Sequence, residues 1–222
     1  MPAEEGVVVE GPSVLILAGG EGAPQEPVSR DGHGTVIAAD SGLDLAYALG
    51  LRVDVAVGDF DSATPAALAR AAAEGTAVDR HPADKDATDL ELALDRAVAL
   101  GAGRVLVVGG DGGRLDHLLA GALLLGSARY ASLEVDARLG AARAYVVRDE
   151  RILTGTEGEL VSLLALHGPA QGVTTVGLRF PLRGETVSAG STRGVSNVLE
   201  GTEARVTLER GVLLAVFPGE QA

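Results

Sequence analysis

The stretch VDVAVGDFDSATP, residues 53–65, decides how the rest of the chain is read. It opens as an apolar, β-rich run and passes through two acids one residue apart, Asp59 and Asp61. It ends at Thr64-Pro65, where Thr64 can cap a helix and Pro65 can take the first helical position. Four further runs have the same apolar character: VLILAG (14–19), TVIAAD (35–40), a weaker TAVDRH (76–81) and RVLVVGG (104–110). Ala/Leu-rich segments at helical spacing alternate with them, the pattern of a parallel α/β sheet covered by helices on both faces.

The helical segments carry their own boundaries. The first runs from Thr64 to a stop at Gly75. The second opens on Thr88-Asp89-Leu90-Glu91, which has capping-box form, sets Leu90, Ala93, Leu94, Ala97 and Val98 on one face, and stops at Gly101. Between 127 and 142 the alternation ceases. From Ala144 onward short strand-like runs are punctuated by Gly, Pro and Thr: AYVV, LVSLLAL, GVTTVGL and ARVTLERGVLLAVF, the last read as a hairpin turning near Glu209-Arg210-Gly211. The expected organisation is an N-terminal tail (1–12), an open parallel α/β domain of Rossmann-like type (13–130) and a smaller all-β sandwich domain (143–222).

Composition narrows the function. The 222 residues are 46% hydrophobic but only 3% aromatic, with no Trp, so packing falls to Val, Leu and Ala. A formal net charge of −13 argues against nucleic-acid and anionic-membrane surfaces, which need clustered cations. The absence of Cys removes disulfides and thiolate metal sites. MPAEEGVVVEGPS lacks the basic and apolar regions of a signal peptide, and no apolar run approaches a membrane span, so a cytoplasmic location is expected.

In an open parallel sheet, ligands bind beyond the carboxyl ends of the strands. Asp40 ends one strand there, and Asp59 and Asp61 end the next. DKDATD (84–89) adds Asp84, Asp86 and Asp89 at a helix start. Any single Asp in such places is explained by capping a turn or helix. The set is not, because each close pair of carboxylates repels by on the order of 1 kcal/mol or more unless a cation intervenes. Mg²⁺ is typically held by one or two carboxylates together with substrate phosphates. Lys85 is the only lysine in the chain and sits inside this acid run. It either neutralises its neighbours or meets a phosphate as a point charge. Asp84, not Gly, precedes it, so this is no Walker A loop, and no GxGxxG opens a strand-to-helix turn. After the fifth strand, GGDGGRLDH (109–117) offers glycines for close backbone approach, Arg114 as a phosphate clamp, and Asp116 to bind metal or orient a hydroxyl; His117 reads as a helix-start packing residue.

ADSG (39–42), GDFDS (58–62), DKDATDLELAL (84–94) and GGRLDH (112–117), in this order, resemble the thiamine pyrophosphokinase family. GELVSLLAL (158–166), GVTTVGLRFPL (172–182) and STRGVSN (191–197) resemble that family's β-domain, so the resemblance covers nearly the whole chain after the first dozen residues. It implies transfer of a pyrophosphoryl group from ATP to the hydroxyl of thiamine, with Mg²⁺, giving thiamine diphosphate and AMP. It also implies a homodimer whose active site lies between the α/β domain of one subunit and the β-domain of the other. By position, Asp59, Asp61 and Asp89, supported by Asp40, match metal-binding acids. Lys85, Thr88, Arg114 and Ser62 match ATP contacts, Ser196 and Asn197 lie near thiamine, and Asp61 or Asp116 are candidates to take the hydroxyl proton. The chain departs from the family in reading Asp40-Ser41-Gly42 where Asp-Gly-Gly is usual, and it has no Trp, which some members of the family set against the thiamine rings.

Other readings explain less. A haloacid-dehalogenase-type phosphatase would carry its DxD on the first strand, not the third. A nucleotide-sugar transferase DxD leaves DKDATD and GGRLDH unexplained. A pyrophosphokinase for another hydroxyalkyl heterocycle, such as a pterin, shares the ATP half, and a non-catalytic nucleotide sensor would be expected to have lost acids that are all present here.

Overall fold

The structure, a computed structural model, describes residues 11–20, 24 and 27–219. Residues 1–10 of the expected tail lie outside the described residues. The chain divides into two compact units, the first comprising residues up to Gly20, Val28–Val108 and Ser132–Val135, the second Glu21–Pro27, Gly109–Ala131 and Asp136 onward.

Five strands organise the first unit: β1 (Ser13–Ala18), β2 (Thr35–Ala39), β3 (Val55–Gly58), β4 (Ala77–Arg80) and β5 (Arg104–Gly109), whose last residue falls to the second unit. Their order is β5-β1-β2-β3-β4, with β1 through β4 paired in parallel. Each expected strand is present; β1 is shifted one residue toward the N-terminus and the other four are shortened by one to three residues. β4 is the outermost, which explains its weak signal: Ala77, Val78 and Arg80 are exposed.

Three helices complete the layers. α1 (Gly42–Ala48) follows β2 directly and was not foreseen. A Cβ at Gly42 would fall 1.9 Å from the Leu17 carbonyl oxygen, so only glycine lets this helix start against β1. α2 (Pro65–Glu74) begins as expected, with the Thr64 hydroxyl accepting from Ala67 N–H and Gly75 as its C-cap. α3 (Asp89–Ala99) is capped by Thr88, whose hydroxyl accepts from Glu91 N–H. Ala93, Leu94 and Ala97 are buried as the spacing predicts, but Val98 turns outward and is exposed. α1 and α2 share a core with Leu15, Leu17, Val36 and Ala38. α3 packs on β1, β2 and β3; it has to cross them, because the chain returns from β4 at one edge to β5 beyond β1.

The second unit holds two antiparallel sheets. One has the order β12-β9-β14-β7-β6 and the other β11-β10-β13-β8. The elements are β6 (Glu134–Leu139, which begins in the first unit), β7 (Ala142–Val147), β8 (Glu150–Thr154), β9 (Leu160–Ala165), β10 (Ala170–Val176), β11 (Arg183–Val187), β12 (Asn197–Val198), β13 (Glu203–Thr207) and β14 (Leu213–Phe217). Val147, Leu153, Leu163, Val173, Val206 and Phe217 are buried in one shared core, the sandwich expected from the sequence. By its contacts Gly109–Ala131, with α4 (Leu115–Leu125), groups with this unit.

One expectation fails. ARVTLERGVLLAVF is no hairpin: β13 pairs with β8 and β10, whereas β14 pairs with β7 and β9. The segment between them crosses from one sheet to the other, with Leu208 and Val212 buried and Arg210 bridged to Gln171 instead of turning β13 onto β14. Two adjoining strand-like runs do not say which partner each will take. Among the described residues, no helix is long and apolar enough to cross a membrane.

Candidate active site

Strand ends and a helix start assemble the site in the first unit. Asp40 follows β2, Asp59 follows β3, and Asp89 is the first residue of α3. Each presents one carboxylate oxygen, and the three lie within 4.8 Å of one another. Asp40 is buried and sits at φ 47°, an uncommon conformation for a residue with a side chain. Gly58, at φ 143°, makes the convergence possible, since a Cβ there would stand 3.0 Å from Asp89 Oδ1 and 3.3 Å from Asp40 Cβ.

Lys85 closes the cluster. Its Nζ donates to Asp59 Oδ2 at 2.8 Å and lies 3.1 Å from Asp89 Oδ1, in a setting where all three side chains are largely shielded. Burial alone would depress the Lys85 ammonium, and it is the largest single influence, but Asp59 and Asp89 together outweigh it and hold the pKa above its ordinary value. The Lys85 hydrogen bond holds Asp59 below the usual carboxylate range. Asp40 moves the other way: burial pushes its pKa up, and the charges of Asp89 and Asp61 add to the shift.

One ammonium does not satisfy three carboxylates. Asp40 Oδ1 is buried without a hydrogen-bond partner, and Asp89 Oδ1, also buried, has the Lys85 ammonium 3.1 Å away. Three shielded carboxylates this close together are costly with a single ammonium among them unless a further cation meets them, and hard oxygen donors of this kind suit Mg²⁺. The residues present therefore fit a divalent ion.

The turn after Asp59 is tightly specified. Asp59 Oδ1 accepts from Asp61 N–H at 3.2 Å, and the Ser62 hydroxyl donates to Asp61 Oδ1 at 2.8 Å. Phe60, between the two acids, stands at φ 63° with its ring buried in the α1–α2 core. A left-handed, bulky residue costs about 1–2 kcal/mol. The burial of its ring offsets that cost. Arg80, which the sequence reading did not single out, donates from Nη1 to the Asp59 carbonyl at 2.8 Å and lies 4.9 Å from the centre of the Phe60 ring. Asp84 and Asp86 are exposed and stand outside the three-acid group.

The remaining candidates lie in the second unit. Arg114 precedes α4 and grips Asp116 with two hydrogen bonds, Nε to Oδ1 at 3.1 Å and Nη2 to Oδ2 at 2.5 Å. Both are exposed, and the guanidinium lowers the Asp116 carboxyl to about 2. His117, in the first turn of α4, is exposed and not a packing residue. Ser196 is exposed at φ 57°, with its N–H donating to the Ser162 hydroxyl at 3.1 Å. Asn197 is buried: its Oδ1 accepts from Phe180 N–H at 3.0 Å and Val198 N–H at 2.9 Å, and its Nδ2 donates to the Phe180 carbonyl at 2.8 Å.

Comparison with known proteins gives the family. Residues 31–136 match the family described as thiamin pyrophosphokinase, catalytic domain, and residues 146–213 match thiamin pyrophosphokinase, vitamin B1 binding domain. A thiamine pyrophosphokinase of Bacillus subtilis is 26% identical over 220 residues, spanning 95% of this chain and 96% of that protein. The crystal structure of thiamine pyrophosphokinase from Bacillus subtilis superposes with a TM-score of 0.82 at 25% identity, covering 94% of this chain and all of that one. The thiamin pyrophosphokinase of Geobacillus thermodenitrificans gives 0.76 at 27% identity, over 95% and 98% of the two chains. With both domains of one family matched in order along most of its length, the chain belongs to the thiamin pyrophosphokinases.

Proposed function

We propose that this protein transfers the pyrophosphoryl group of ATP to the hydroxyl of thiamine, releasing AMP and thiamine diphosphate. The observation that carries the reading is the convergence of Asp40, Asp59 and Asp89, with Asp40 Oδ1 buried and unpartnered and Lys85 paired to the other two, at the carboxyl ends of β2 and β3 and the start of α3.

Asp40, Asp59 and Asp89, with Asp61 beside them, would hold Mg²⁺. When bound, the ion neutralises the charge of the triphosphate and of the transferring group. The chain's own groups do the rest. Lys85 supplies a fixed positive charge to a phosphate oxygen, and its raised pKa keeps that charge at neutral pH. The backbone N–H groups of Asp89 and Leu90 at the start of α3 and the Thr88 hydroxyl donate to phosphate oxygens. Ser62, exposed on the same turn, adds another hydroxyl. Arg114 clamps the leaving phosphate, exchanging its bidentate hold on Asp116 for phosphate oxygens. The thiamine oxygen then bonds to the β-phosphorus while the bond from that phosphorus to the oxygen bridging it to the α-phosphate breaks, and AMP leaves with that oxygen. The hydroxyl proton passes to Asp61 or Asp116. Asp59, Asp61, Asp89 and Asp116 are thus the groups assigned to catalysis.

Residues 13–130 carry the ATP half and 143–222 the thiamine half. Ser196 presents its hydroxyl to thiamine, while Asn197, whose amide is committed to Phe180 and Val198, shapes that subsite. The enzyme acts in the cytoplasm as a homodimer whose sites are completed at the subunit interface.

The test is purified protein with ATP, Mg²⁺ and thiamine, with products resolved by mass spectrometry. Thiamine-dependent AMP and thiamine diphosphate are expected; ADP as the product, or turnover with a pterin alcohol instead of thiamine, overturns the reading. Asp59→Asn should lower kcat by roughly 1,000-fold with the fold retained, the scale seen when one strong transition-state contact is removed.

A further inference from the structure

We infer that Arg80 is a positioning residue for the metal-binding turn, holding Asp59 and Asp61 in the geometry a divalent cation needs. The inference rests on the metal-assisted reading of the acid cluster.

β4 pairs with β3 so that Arg80 lies directly opposite Gly58, the residue before Asp59. From there its guanidinium does two things at once. Nη1 donates to the Asp59 carbonyl at 2.8 Å, and the guanidinium lies 4.9 Å from the centre of the Phe60 ring. The peptide it grips joins a cluster carboxylate to a residue in the left-handed region. That peptide is where the turn would relax if released, because Phe60 would regain an ordinary conformation by rotating it. Rotation would carry off the Asp59 carboxylate and the Asp61 N–H that orients it. Burial of the Phe60 ring restrains the side-chain end of this unit; Arg80 restrains the backbone end.

The way Arg80 is used points the same way. The chain has 31 Asp and Glu residues, yet among the described residues Arg80 forms no ion pair with any of them. It is exposed, so its contacts are not a by-product of burial in the core. Lysine can donate to the same carbonyl but lacks the planar face that lies on an aromatic ring, so the two roles of Arg80 are separable by substitution.

The experiment titrates Mn²⁺ into the full chain, reading the free-ion EPR signal, for wild type, Arg80→Met, Arg80→Lys and Asp59→Asn, alongside Tm and the steady-state KM for thiamine. Arg80→Met should weaken Mn²⁺ binding by roughly 10-fold, as groups that orient metal ligands do. Tm and the KM for thiamine should stay near wild type, and Arg80→Lys should recover part of the loss. Wild-type Mn²⁺ binding by Arg80→Met, with Asp59→Asn impaired, overturns the role of Arg80 and leaves the metal site standing. Unchanged binding by Asp59→Asn overturns the metal site and the inference with it. A uniform loss of Tm, Mn²⁺ binding and KM that lysine does not rescue shows ordinary fold support and also overturns it.

Discussion

The acid cluster of the first unit and the polar residues of the second solve the same problem in opposite ways. Asp40, Asp59 and Asp89 are drawn together by strand ends and a helix start and shielded from water, with Lys85 tying Asp59 to Asp89 while Asp40 Oδ1 is left unsatisfied. Arg114 and Asp116 are exposed and satisfy each other, and Ser196 is exposed beside Asn197, whose buried amide is bonded to Phe180. Charge crowding is sustained only where the backbone enforces it. Where side chains are solvated they pair locally, and the pair has to open before either member meets a ligand. The first arrangement is fixed by the backbone; the second is set by the side chains alone.

The sharpest way to break this contrast is at Gly58. Gly58→Ala places a methyl 3.0 Å from Asp89 Oδ1 on a backbone at φ 143°, which should destabilise the protein by about 1–3 kcal/mol and spread the acids. Thermal denaturation and Mg²⁺-dependent turnover should both report the loss, and a stable, fully active variant would mean that the cluster is not backbone-enforced. Asn197→Ala is next. It strands the N–H and carbonyl of Phe180, and a buried group left unsatisfied costs about 1–3 kcal/mol. Chemical denaturation should show that loss with the KM for thiamine raised and the KM for ATP unchanged; a rise in both would blur the division of labour between the units.

Arg114→Gln should have the smallest effect on stability. The Asp116 carboxyl, held at about 2 by Arg114, should rise toward 3.8, which NMR titration of the carboxylate reads directly. A carboxyl depressed in the folded state adds stability above its unfolded pKa and loses it as pH falls through the folded value. Arg114→Gln should therefore weaken the protein slightly at neutral pH, with the difference from wild type vanishing between pH 4 and pH 2. The pair is solvent-screened, so a large change in Tm would show that it carries more of the fold than its exposure implies.

Much of this was legible beforehand. The apolar runs at 14–19, 35–40, 53–59 and 104–110 are strands because they are buried between helices, and burial on both faces leaves a continuous hydrophobic signature. Thr64 and Thr88 cap as read, since capping is decided within four residues. The misreadings share a cause. α1 is seven residues long and begins in a contact between Gly42 and β1 that no local pattern announces. The β13–β14 segment looked like a hairpin because pairing partners are chosen by the two sheets and not by the turn. Arg80 was invisible because its importance comes from the β3–β4 register.

By itself, then, the sequence determined the order of the elements, the helix starts and the residue types that gather at the strand ends, because periodicity, capping and composition act over short range. Only the tertiary structure decided that Asp40, Asp59 and Asp89 meet, that Arg80 lies opposite Gly58, and that β13 and β14 go to different sheets. Those outcomes depend on which strands become neighbours and in what register, and register is set by the packing of a whole core.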